Sequence, residues 1–185
     1  MNDVNIETGM YYDVDEATQA AERLHALGYT QDEISVVMDD KTRERAFGAM
    51  ANVKGSEGVA AGATIGGVIG AIVVGATATG SIIATSGAAA PFVAGPLVAA
   101  FAGLGAGALG GGIVGGLIGL GIGETRAKQY EEGLRDGGIL LAVTPKSKEH
   151  VNDIRTALAE RSRTTTGEVD FSSDYAGTTP DRPLQ

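Results

Sequence analysis

Gly103 to Gly123 reads GLGAGALGGGIVGGLIGLGIG, 11 glycines in 21 residues with no charged side chain. Gly103, Gly107, Gly111, Gly115, Gly119 and Gly123 recur at every fourth position, and Gly58, Gly62, Gly66 and Gly70 repeat the spacing earlier in the chain. A spacing of four follows one ridge of an α-helix, so such glycines form a shallow groove that admits a second backbone. The triple helix of collagen needs a spacing of three. Leu104, Leu109, Ile113, Leu117, Ile118 and Ile122 stand between them and leave the other faces apolar too. Each glycine costs a helix in water about 1 kcal/mol relative to alanine. This helix needs partners, lipid or both.

Working outward, residues 58–123 contain no Asp, Glu, Lys, Arg or His, so all 37 charged residues lie in the flanks. That segregation predicts a glycine-zipper helical hairpin with arms at 58–85 and 96–123 and a tip near Ser86 to Pro91. At about 1.5 Å per residue an arm reaches about 42 Å, beyond the hydrocarbon core of about 30 Å. The insertion signal is modest: the eight large aliphatic side chains between Leu104 and Ile122 supply only about 2–5 kcal/mol. Lys41, Arg43, Arg45 and Lys54 precede the tract, and Arg126 and Lys128 follow it. Basic residues at both ends and none at the tip favour membrane contact with both termini cytoplasmic. A soluble homo-oligomer or filamentous scaffold, with the hairpins buried between subunits, is the alternative.

The flanks read as an α+β domain. Gly9 to Tyr12 is a strand candidate, and Asp13 with Glu16 has capping-box spacing for a helix with Ala17, Ala20, Leu24 and Leu27 on one side. Gly28 ends that helix, and Ile34 to Met38 has the β-branched content of a buried strand. A short helix is expected over Lys41 to Asn52. Beyond the tract come a helix over Glu124 to Arg135 stopped by Gly137 and Gly138, a strand over Ile139 to Val143, a helix over Ser147 to Arg161, and a strand at Glu168 to Phe171. Two β-α-β units pack most simply as a ferredoxin-like, split β-α-β sheet with both crossover helices on one face. Residues 1–57 and 124–171 would be its halves, 58–123 the insertion, and 172–185 a disordered tail.

The residues that carry chemistry are sparse. A net charge of -9 lacks the basic face that nucleic acid requires. With no cysteine there is no thiolate, disulfide or thiolate metal site. The acidic start MNDVNIETGM does not resemble a secretory signal, which places the N-terminus in the cytoplasm. GAGALG at Gly105 to Gly110 fits a dinucleotide pattern only through glycine density. His25 and His150 sit on separate helices without ligand spacing. Asp39/Asp40 and Glu131/Glu132 read as solvated faces. No catalytic residue, cofactor or metal ligand is indicated.

The segment MYYDVDEATQAAERLHALGYTQDEISVVM resembles the opening domain of the bacterial general stress proteins of the YflT-type heat-induced family, and ETRAKQYEEGLRDGGILLAV resembles the part that follows the glycine hairpin in longer members. The polar stretch RTTTGEVDFSS departs from that pattern. The resemblance implies a stress-associated, non-enzymatic protein and carries over no catalytic residues. The function expected is self-assembly through the ten four-spaced glycines, in or on the cytoplasmic side of the inner membrane. A ligand-sensing module anchored by the hairpin is a further alternative that rests on fold analogy.

Overall fold

The computed structural model describes residues 6–48, 67–73, 91–98 and 106–159. Within them four strands form one antiparallel sheet: β1 (Glu7–Tyr11), β2 (Ile34–Asp39), β3 (Pro91–Ala94) and β4 (Ile139–Val143), in the order β1-β4-β2-β3. The helices are α1 (Val14–Ala26), α2 (Asp40–Phe47), α3 (67–73), α4 (Ala106–Gly119), α5 (Glu124–Arg135) and α6 (His150–Ala159). The molecule is thus α+β. The strand expected at Glu168 to Phe171 and the tail at 172–185 lie outside the described residues.

β4 is the centre of the sheet. Its Leu141 faces Gly9 of β1 on one side and Val36 of β2 on the other. The run ILLAV is buried at every position, as is ISVVM of β2. A strand covered on both faces has no reason to alternate polar and apolar residues, which is why these two read as continuous apolar runs. Tyr11, Ile34, Val36, Ile139 and Leu141 point into one core with α1, α3 and α6. Met10, Val37, Leu140 and Ala142 point into the other, with α4 and α5.

Local chemistry explains the helix limits. The Asp13 carboxylate accepts from the Asp15 and Glu16 amides at 2.8 and 3.2 Å, capping α1. The Tyr29 amide donates to Leu24 and the Gly28 amide to His25, the paired bonds of a Schellman ending. α5 ends in the same way, with Gly138 bonded to Gly133 and Gly137 to Leu134.

Two features of the uncharged tract differ from the reading above. Where a turn between helical arms is expected, Pro91–Ala94 is an edge strand, pairing Val37 with Val93 and Met38 with Phe92. Phe92 and Val93 have high strand propensity, and a proline is tolerated at a sheet edge because its missing N–H is not needed there. Gly95 (φ 86) then turns the chain, and the Leu97 amide donates to Ser35 Oγ at 3.1 Å. The second difference is the shape of the later arm. α4 breaks at Gly112 (φ 55, ψ -146) and stops at Gly119. Past that stop, Gly121 (φ 84) lets the Ile122 amide donate back to Leu117 at 3.1 Å. No helix among the described residues is long and apolar enough to cross a membrane.

Candidate functional site

The ten spaced glycines fall in different surroundings. Gly58, Gly62, Gly66 and Gly103 lie outside the described residues. Gly70 is buried in α3, beside Ile69 and Ile72 of the first core. Gly107 and Gly111 belong to the part of α4 before its break. Gly115 and Gly119 follow the break, half-buried and exposed respectively. Gly123 is not on that helix at all: it is the N-cap of α5, where its carbonyl accepts from the Ala127 amide at 2.9 Å. The break at Gly112 and the stop near Gly121 divide the series, so it does not run along one straight rod.

Beyond its break, α4 turns Ile113 and Leu117 inward. Ile113 and Leu117 are buried with Ile122, Tyr130 and Leu134. Gly112, Ile118 and Gly119 are exposed, and Ile118 keeps 43% of its surface in water. A Cβ added to Gly115 would meet nothing within 4 Å. Glycine at this position is therefore not needed to fit any neighbour among the described residues. Gly133 is the contrast: a Cβ there would stand 3.0 Å from Tyr12 Oη and 3.1 Å from Met10 Cε, so its absence lets α5 approach β1. Sequence reading passed over Gly133 because a lone glycine in an amphipathic helix carries no period.

The polar residues satisfy one another. Lys146 Nζ lies 2.9 Å from Glu33 Oε2 and donates to the Gly28 carbonyl at 2.9 Å, above the Tyr29 ring at 4.9 Å. The Tyr29 hydroxyl accepts from the Lys146 amide at 3.1 Å and lies 3.4 Å from His150 Nδ1. The Thr30 amide, and then Lys146, hold the Glu33 carboxyl below the usual carboxylate value. This clasp ties the end of α1 to the loop before α6. His25 leans on the same residue, with Nδ1 at 2.9 Å from the Tyr29 carbonyl. Asp39 caps α2 through the Thr42 amide, Asp40 pairs with Arg43 at 3.0 Å, and Glu131 pairs with Arg135 at 3.2 Å.

Among the described residues Glu7 is the buried carboxylate. Arg155 grips it through two hydrogen bonds of 3.0 and 2.9 Å, fastening α6 across the end of β1. No group of three or more His, Cys, Asp or Glu among the described residues could hold a metal ion. Among the described residues the large apolar side chains left exposed are Tyr12, Leu27 and Ile118, the last on the outward side of α4. No family model, curated protein or solved structure matches the chain.

Proposed function

We propose that this protein is a non-enzymatic assembly module whose copies associate through the outward side of α4. One observation carries the reading: exposed Ile118 stands between Gly115, where an added Cβ would meet no described neighbour within 4 Å, and exposed Gly119. The same short helix thus offers a groove and a knob, so a two-fold axis would seat Ile118 of each copy against the glycines of the other. Charge supports the choice of surface. Copies carrying -9 repel, and residues 112–123 present no charge to one another. The glycine-zipper insertion and the ferredoxin-like arrangement belong to the same proposal, with β1-β4-β2 as the centre of that sheet. So does stress association, which rests on the resemblance described above.

Sedimentation of the full chain without detergent tests the reading. The expected result is an oligomer that Gly115→Leu or Ile118→Glu reduces to monomers with the sheet intact by circular dichroism. A wild-type chain that stays monomeric up to high concentration would refute it. An oligomer unaffected by both substitutions would place the contact elsewhere and also refute it.

A further inference from the structure

The outer side of α5 carries a row of charges whose signs alternate. Glu124, Lys128, Glu131 and Arg135 stand at i, i+4, i+7 and i+11, within about 60° of one another around the helix. Lys128 Nζ lies 2.7 Å from Glu124 Oε1, and Arg135 pairs with Glu131 in the same way one turn further on. Three of the four side chains are exposed; Glu131 is half-buried, with Oε1 3.7 Å from where a Cβ on Gly112 would stand. The row therefore borders the outward side of α4, where Gly112, Ile118 and Gly119 are exposed. The hydrogen bond from Lys128 holds the Glu124 carboxyl below the usual carboxylate range, and the same bond holds the lysine above its own, so both stay charged near neutral pH. A carboxylate has two oxygens and an ammonium three N–H groups, so each can serve a second partner besides its neighbour in the helix.

We propose that two copies of this chain lay their α5 helices side by side and antiparallel, Glu124 against the partner's Arg135 and Lys128 against the partner's Glu131. The order of signs selects both the partner and the direction. From its N-terminal end the row reads minus, plus, minus, plus, and reversed it reads plus, minus, plus, minus. An antiparallel copy thus meets opposite charge at every position, and a parallel copy in register meets like charge at every one. Both pairs are centred on the same point, between Gln129 and Tyr130, so one two-fold axis satisfies both and forms each of them twice. The next exposed row repeats the preference. It places Thr125 and Gln129 toward one end and Glu132 and Asp136 toward the other, so antiparallel copies set acids against neutral side chains, and parallel copies set acid against acid. The charged row itself sums to zero, which lets copies of net charge -9 approach in this alignment. The inference rests on the reading above only in that copies pair about a two-fold axis; it adds a charged rim that fixes their direction.

Sedimentation of the full chain tests it, with circular dichroism as the check on folding. Two half-reversals, Glu124→Lys with Lys128→Glu and Glu131→Arg with Arg135→Glu, each keep the net charge of -9 and a pair of opposite sign within the helix. Each sets like charge against like across the axis, and alone should associate about ten- to hundredfold more weakly than the wild type. An equimolar mixture of the two meets opposite charge throughout and should recover the association. All four changes in one chain exchange the signs and keep the pattern, so that chain should associate with itself as the wild type does. Half-reversals that associate like the wild type would overturn the inference, as would failure of the mixture or of the four-change chain to recover, or a wild type that never associates. The result also stands apart from the contact at Gly115 and Ile118. Association lost in Gly115→Leu but indifferent to the half-reversals leaves that contact without this rim, whereas loss in the half-reversals with recovery in the mixture supports the rim whatever Gly115→Leu does.

Discussion

At the scale of single residues, the consequences of substitution depend on which partner is left behind. Glu7 has a side chain 4% exposed and Arg155 one 42% exposed. Removing the arginine strands a buried carboxylate, whereas removing the acid leaves a guanidinium that water can reach. Chemical denaturation should therefore find Arg155→Met worse, by about 2–3 kcal/mol, than Glu7→Gln, by about 1 kcal/mol. Gly95→Ala combines a left-handed backbone with overlap against β2, and should cost about 2–3 kcal/mol in the same measurement. Glu33 gives a pH signature. Its carboxyl is held low by the Thr30 amide and by Lys146, so the clasp contributes fully above the pH at which a free glutamate titrates. That contribution is lost as pH falls through the lowered folded value. Glu33→Gln should flatten this part of the acid limb in a plot of unfolding midpoint against pH.

At the scale of elements, α1 was legible because its signals are local: a capping aspartate, a stripe of alanines and leucine, and Gly28 at the end. β2 and β4 were legible as apolar runs. β3 was not, because PFVA sits inside a tract whose lack of charge overwhelms four residues of strand propensity. Its cues were Pro91 and the Gly95-Pro96 pair on either side. The break in α4 was hidden for another reason. Glycine accepts either sign of φ, so a row of glycines does not say where a helix bends. The four-residue spacing was plain in the sequence; which glycines meet neighbours was not, since that depends on how α4 lies against α5. The proposed contact adds an opposition of signs. Gly115→Ala meets no obstacle and should stabilise the isolated fold by about 1 kcal/mol in thermal unfolding. It should at the same time weaken association in sedimentation, and a change of the same sign in both would contradict the assembly reading.

At the scale of the whole molecule, the sheet is clad on both faces, and the uncharged tract supplies part of each cladding layer. Flank and insertion are therefore not separable in the described residues, and deleting 58–123 should yield a chain without a cooperative unfolding transition. The legibility of the whole was limited by α5, whose Ala127, Tyr130 and Leu134 form an apolar side whose destination on the second face no local signal gives. The position of β4 bears on how the chain is made. β1 and β2 pair with β4 and not with each other, so neither has that neighbour until residue 143 has left the ribosome. The most apolar part of the chain emerges before then, with no finished sheet to rest on. Nascent chains arrested ahead of Ile139 should bind chaperones more strongly than the completed protein does, making translation itself the interval in which this sequence is most exposed to the wrong partner.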